Sequence, residues 1–477
     1  MKKLRSIFLM LVVLATIISL ASCAGAGSSS GDGGYGGGYG GGGYINGSSG
    51  LTGDSSGSTS DSTAGGSAPD SGVDFDGVSK PELMPPDMDS STDSAPDAEL
   101  PDSDDGDGGE GDKDTSEPIR LPAGQVTAGA HNDNDFYALW KTLFEKGQTE
   151  DGKFLAQFAE NSWGFTSTNR IKVTLTHNDA PVVGATAVAT DPEGKPLFSA
   201  VTDSNGVAYL FTDAPNGTVT LTSGDYAATA DFTEEIRELS LTTDGALQRS
   251  EIIEIMFVID VTGSMGDELE YLKAEIEDVV DRVSRENVGA TINLALLFYR
   301  DHGDKEVFKY HDFVNVTTAD GLALQQAAID AQRATGGGDW PEAVDEALEL
   351  AVSKQWLDGA TTKLIFHVFD APPHSKTSNV EKYNTAIIDA AEKGIRYCPI
   401  ICSGADLMTE YISRQAAIYT GGTFIFITDD SGIGGEHHDP SIPDVTVELL
   451  NSLLVRLING YYTGTFAEPI DWRQEVK

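Results

Sequence analysis

Ile252-Ile253-Glu254-Ile255-Met256-Phe257-Val258-Ile259-Asp260-Val261-Thr262-Gly263-Ser264-Met265 is the stretch that decides the architecture of this chain. Its first eight residues are almost continuously apolar, as a strand reads when both faces are buried in a parallel sheet. Leu269, Leu272, Ile276, Val279 and Val280 follow at helical spacing. The turn between strand and helix carries one carboxylate and two hydroxyls, Asp260, Thr262 and Ser264, at alternate positions around Gly263, whose freedom from a Cβ suits a tight loop. These are hard oxygen donors, which suit Mg²⁺, Mn²⁺ or Ca²⁺ and not zinc or copper. The plainer reading makes Asp260 only a cap for the helix beginning near Ser264.

Outward from this stretch, buried strands are predicted at 294–299, 364–369, 395–401 and 423–427. Helices are predicted near 319–332, 341–354, 379–392, 406–418 and 444–459. Such alternation over 251–461 specifies an α/β, doubly wound, mostly parallel sheet with helices on both faces. Ligands on these sheets bind at the carboxyl ends of the strands. Two further loops there attract interest. One is Thr335-Gly336-Gly337-Gly338-Asp339-Trp340-Pro341-Glu342, in which Pro341 and Glu342 suit the first turn of a helix. The other is Phe366-His367-Val368-Phe369-Asp370-Ala371-Pro372-Pro373, where Asp370 ends a strand.

Asp260, Thr262 and Ser264 resemble the Asp-x-Ser-x-Ser motif of the metal-ion-dependent adhesion site in von Willebrand factor type A domains, with Thr262 for the first Ser. The resemblance implies the Rossmann-like fold of that family and a divalent cation, Mg²⁺ or else Mn²⁺ or Ca²⁺. Asp260, Thr262 and Ser264 would hold it, with Asp339 and Asp370 acting mostly through waters. The family expects a Thr in the second loop. Asp339 stands in that helix-start register, and Thr335 is the alternative. An added carboxylate at Asp339 lowers the net positive charge, so the cation is expected to bind more tightly and to attract a ligand carboxylate less. The Thr-Gly-Gly-Gly-Asp-x-Pro-Glu and Asp-Ala-Pro-Pro-His stretches resemble a subgroup found in bacterial proteins and beside alpha-kinases.

What the resemblance implies is a binding module without catalysis, in which a Glu or Asp of a partner protein fills an open coordination position. A non-catalytic scaffold subunit of a surface complex is the alternative. A metal-assisted hydrolase is a third reading and needs a general base near the metal. His302 and His374 are the histidines on plausible loops, while nucleophile elbow, phosphate loop and Glu-flanked His pair are all missing from the sequence. Tyr299-Arg300-Asp301-His302-Gly303-Asp304, on the same rim, either extends the ligand surface or, as rim salt bridges are commoner, pairs charges with a neighbouring loop. His437 and His438 are adjacent and should point apart, which argues against a metal between them.

Upstream, residues 165–245 read as β throughout. Ile171, Val173 and Leu175 alternate, and Asp191-Pro192-Glu193-Gly194 and Thr202-Asp203-Ser204-Asn205-Gly206 are strong turn signals. Short strands at this spacing indicate a small β-sandwich. Its motif order resembles the carboxypeptidase-regulatory, transthyretin-like module. Residues 119–164 read as a short helical prelude, with Phe136, Leu139, Trp140, Leu143 and Phe144 at helical spacing behind Asn/Asp capping candidates.

Residues 1–23 read as a signal segment: a basic start, an apolar run from Ile7 to Leu20, then Leu20-Ala21-Ser22-Cys23. That ending resembles the bacterial lipobox. It implies diacylglyceryl attachment at Cys23 and a lipoprotein anchored to the extracytoplasmic face of a membrane. Residues 24–118 are rich in Gly, Ser and Asp and too poor in apolar side chains to offset chain entropy, so they read as a disordered tether spanning roughly 50–60 Å. Residues 462–477 are read as a tail. The chain holds 75 Asp and Glu against 31 Lys and Arg, a formal charge of −44, which repels nucleic acid and favours cations or basic partners. Of three cysteines, Cys398 and Cys402 lie four apart in an apolar run. On a strand they stand roughly 13 Å apart, too far for a disulfide, so both read as buried thiols.

Overall fold

A computed structural model describes residues 122–145, 154, 167–338 and 340–476. The signal segment with Cys23, the tether and Asp339 lie outside the described residues.

The first described strand, β1 (Thr127–His131), is followed by a short helix, α1 (Tyr137–Thr142). Eight strands then make two sheets. β2 (Arg170–His177) pairs with β3 (Ala180–Pro181), β6 (Val207–Phe211) and β9 (Glu238–Thr242), while β4 (Thr186–Thr190) lies between β5 (Pro196–Val201) and β7 (Asn216–Ser223), with β8 (Tyr226–Thr233) outermost. Ile171, Val173 and Leu175 of one sheet and Ala187, Ala189, Val219 and Leu221 of the other are buried at every second position, so their apolar faces meet. The predicted turns form as their residues require. Asp191 Oδ1 accepts from the N–H groups of Glu193 and Lys195, and Asp203 Oδ1 from those of Asn205 and Val207.

The second half is the expected α/β unit. β10 (Ile252–Asp260) leads into α2 (Gly266–Glu286), then β11 (Thr291–Tyr299), the antiparallel β12 (Phe308–Asn315), α3 (Ala319–Asp330) and α4 (Val344–Ser353). β13 (Thr362–Phe369), α5 (Thr377–Glu392), β14 (Ile395–Ile401), α6 (Leu407–Thr420), β15 (Phe424–Ile427), β16 (Glu448–Leu449) and α7 (Leu450–Thr463) complete it. The sheet order is β12-β11-β10-β13-β14-β15-β1-β16, parallel from β11 to β15. Along β10, alternate residues serve opposite layers. Ile253, Ile255, Phe257 and Ile259 join the core under α2, α3 and α7, while Met256 and Val258 join the core under α4, α5 and α6. Both thiols are buried and free; burial pushes Cys398 up to about 11 and Cys402 further.

The structure adds to the sequence reading in three parts. The prelude is not only helical: β1 enters the main sheet between β15 and β16, antiparallel to both. The buried Glu275 carboxylate, on α2, accepts the backbone N–H groups of Gly124, Gln125 and Val126 just ahead of it. The Asn/Asp cluster behind β1 does not cap α1, which begins after Phe136 with no side-chain cap bond. Asp133 is an ion-pair partner of the fully buried Arg414, 2.6 Å away, which also meets Glu410 at 2.8 Å. Nor is the β-sandwich a separate bead. Phe211 stacks on Tyr419 of α6 with ring centroids 4.3 Å apart, and Arg396 Nη2 donates to Val201 O at 2.8 Å. This contact lies at the start of β14, opposite the strand ends that carry Asp260 and Asp370. Residues 462–476 fold back as well and carry α8 (Trp472–Glu475). Among the described residues no helix is long and apolar enough to cross a membrane.

Candidate metal centre

Asp260 is the last residue of β10, paired in register with Tyr299 of β11. Its Oδ1 accepts from the Thr262 N–H at 2.8 Å, folding the loop back on itself. The Thr262 and Ser264 hydroxyls stand 3.2 Å apart. Asp260 does not cap the helix: a short 3₁₀ turn (Gly263–Met265) precedes α2, with Thr262 before it. Gly263 is needed for close approach, since its N–H donates to Gly336 O at 3.1 Å and a Cβ there would lie 3.2 Å from that oxygen.

The Gly-rich loop closes over the first. Thr335 N donates to Val261 O at 3.0 Å, and Gly337 N donates to Asp304 Oδ2 at 3.0 Å. Gly336 and Gly337 take φ of +85° and +72°, which a side chain would strain. Thr335 itself is exposed, with its carbonyl accepting from Arg300 Nε. Pro341 and Glu342 do not open the helix, which starts at Val344. Glu342 instead bridges to the third loop, its N–H donating to Pro372 O at 3.1 Å.

That places a residue at the site which the sequence reading assigned elsewhere. Glu342 is 4% exposed, and its carboxyl is pushed up to about 9 by burial and then by the charges of Asp260, Asp301, Asp370 and Asp304. Its sequence signal was a Glu just after a Gly-rich loop, which helix-start chemistry explained equally well. Asp260, fully buried, is raised to about 7, first by burial and then by Asp370; bonding from Thr262 and Tyr299 offsets part of this. Burial also raises Asp370, against a lowering bond from Ser264.

Three buried carboxylate oxygens, Asp260 Oδ2, Asp370 Oδ1 and Glu342 Oε2, have no hydrogen-bond partner. Buried acceptors left this way are costly, and a hard divalent cation is the group that such a donor set fits. The structure therefore brings Asp260, Thr262, Ser264, Asp370 and Glu342 to one rim.

Behind the centre runs a buried polar row. His367 Nε2 lies 3.1 Å from the Tyr299 hydroxyl and its Nδ1 2.9 Å from that of Tyr397. Burial lowers His367 to about 3, so it is neutral. His437 and His438 do point apart: His437 Nδ1 meets Asp429 at 2.7 Å, and His438 meets Glu410 at 2.8 Å.

The family model described as "von Willebrand factor A domain" matches residues 254–395, from within β10 to the start of β14. That segment of the chain is similar to the von Willebrand factor A domain. The chain is 25% identical over 200 residues to the alpha-protein kinase vwkA of Dictyostelium discoideum, covering 40% of this chain and 31% of the kinase. It is 27% identical over 225 residues to a putative ariadne-like RING finger protein, R811, of Acanthamoeba polyphaga mimivirus, covering 44% and 21%. It thus spans less than a third of either relative. Among solved structures, a von Willebrand factor type A protein from Catenulispora acidiphila aligns with TM-score 0.30 at 13% identity, covering 52% of this chain and 45% of that one. The pilus adhesin SpaC of Lactobacillus rhamnosus GG, in its open conformation, aligns with TM-score 0.31 at 12% identity, covering 52% and 32%. The sheet that carries the matched segment continues past it through β15, β1 and β16.

Proposed function

We propose that this protein is a lipoprotein, anchored through Cys23 on the outer side of a membrane, whose von Willebrand factor A domain binds a protein partner through a divalent cation. Mg²⁺ is the first choice of cation, ahead of Mn²⁺ and Ca²⁺. Asp260, Thr262, Ser264 and Asp370 would hold it, with Glu342 beside them and Asp339 or Thr335 completing the set. When bound, the cation supplies an electrophilic coordination position for a Glu or Asp side chain of the partner. The chain's own part is to aim hard oxygens from three loops, two of them at strand ends, at one point and to keep Asp260 dry. We read the domain as non-catalytic.

The observation that carries this reading is the three unpartnered carboxylate oxygens of Asp260, Asp370 and Glu342. Calorimetric titration of Mg²⁺ into the full chain tests it. Binding near one equivalent in wild type and its loss in Asp260→Asn are expected; no heat with Mg²⁺, Mn²⁺ or Ca²⁺ would overturn it. Capture of partner that survives EDTA would leave a metal-independent scaffold in its place.

A further inference from the structure

We infer that the same rim carries a second metal site, built by Asp301, His302 and His374, for a borderline transition ion of the Zn²⁺ class. Asp301, His302 and His374 each offer one ligand atom within 4.8 Å of the other two. Asp301 Oδ1 is 3.2 Å from His374 Nε2, and His302 Nδ1 is 3.8 Å from Glu346 Oε2. In a tetrahedral site with metal–ligand bonds of about 2.0 Å, neighbouring donor atoms stand about 3.3 Å apart. The Asp301–His374 separation is close to that figure. The two imidazole rings face one another with centroids 5.5 Å apart and planes 33° apart.

Three separate elements build the cluster. Asp301 and His302 follow β11, in a turn that Gly303 closes at φ +96°. His374 follows Pro372-Pro373 after β13. Glu346 lies in the first turn of α4, and its other oxygen is held by Lys382 Nζ at 2.5 Å. Glu346 is thus fixed beside His302, where a carboxylate acts as the outer partner of a ligating imidazole. A simple ion pair between Asp301 and His374 explains one of these contacts. It does not explain why His302, with its side chain 46% exposed and free to turn to solvent, points to the same spot.

Two imidazoles and a carboxylate select zinc-like ions over Mg²⁺ and Ca²⁺, the reverse of the oxygens at Asp260. The proposal uses other donors and another metal class than the Asp260 site and stands without it. A 2+ ion here also balances a crowded negative rim, where Asp301 and Asp304 help push up Glu342. It would fasten the loops after β11 and β13 to α4, beside the face offered to a partner.

The test is titration of Co²⁺, a coloured stand-in for Zn²⁺, into the full chain in excess Mg²⁺. One equivalent with the strong visible absorption of tetrahedral Co²⁺ is expected, displaced by Zn²⁺. His302→Ala and His374→Ala should each weaken Co²⁺ binding at least about tenfold and leave Mg²⁺ binding unchanged. His302 is exposed, so its loss tests the site without endangering the fold. Equal Co²⁺ binding in wild type and both variants, or only the weak absorption of octahedral Co²⁺ in wild type, overturns the proposal.

Discussion

Glu342 donates its backbone N–H to the carbonyl of Pro372 across 3.1 Å, so the loop that carries the Glu342 carboxyl is fastened to the loop that follows Asp370. Two acids from different loops are thereby held in one buried place. That arrangement sets the behaviour of the centre with and without a cation.

Glu342→Gln keeps the shape and removes one charge. Mg²⁺ affinity should fall about tenfold, a loss of about 1.4 kcal/mol. The metal-free protein should melt higher at neutral pH, because Glu342 must take up a proton to be buried there and Gln need not. Calorimetry and melts in EDTA measure the two effects. Unchanged Mg²⁺ affinity would make Glu342 a loop fastener only.

The pH dependence has a definite sign. Asp260 is raised to about 7 and Glu342 to about 9, from ordinary values of 3.8 and 4.5. Each acid holds its proton more tightly folded than unfolded, so unfolding releases protons between the two values. Metal-free stability is therefore greatest below about pH 4 on account of these groups, and is lost as pH rises to about 7 for Asp260 and about 9 for Glu342. The slope approaches about 1.4 kcal/mol per pH unit per group. Melting temperatures in EDTA should drop from about pH 5 to about pH 8, and excess Mg²⁺ should flatten the profile. A flat profile in EDTA would contradict the buried acid cluster.

Arg414→Met removes the buried cation between Asp133 and Glu410 and leaves these carboxylates to His131 and His438. A loss of about 3–5 kcal/mol is expected, as when one partner of a buried pair is removed. The same change should raise hydrogen exchange in β1 and α1, which Asp133 ties to α6. Denaturant melts and exchange protection check both. A stability change within a few tenths of a kcal/mol would show that the pair is not formed in solution.

His367→Phe should cost about 1–3 kcal/mol, since the Tyr299 and Tyr397 hydroxyls both lose a buried partner. His367 is neutral at every working pH, so the variant should keep the pH profile of wild type. A changed slope would show that His367 carries charge.

The parallel core of the fold was legible because β10, β13 and β14 are buried on both faces and write that as apolar runs. β1 was not. Thr127-Ala128-Gly129-Ala130-His131 has small side chains, and its pairing lies with β15 some three hundred residues away. Phe426 covers Gly129 so closely that a Cβ would meet the ring at 2.3 Å, a fit that only the folded sheet reveals. β12 was hidden for a related reason: Phe308–Asn315 is a half-buried edge without a continuous apolar run. At the centre, Asp260, Thr262, Ser264 and Asp370 follow from position after strands. Glu342 did not follow, because a Pro-Glu pair before a helix is satisfied by dipole chemistry alone. Only the register of the loop, set by Glu342 N on Pro372 O, turns its carboxyl inward.

β1 is paired on both edges and gripped at its entrance by the Glu275 carboxylate. Hydrogen bonds in antiparallel pairs run across the strand direction. Tension pulling on the chain ahead of Gly124 therefore meets a row of crosswise bonds in shear, which must yield together and cannot be peeled singly. The strand nearest the N-terminal side of the folded body is thus a rivet, and mechanical load passes directly into the same sheet that ends at Asp260.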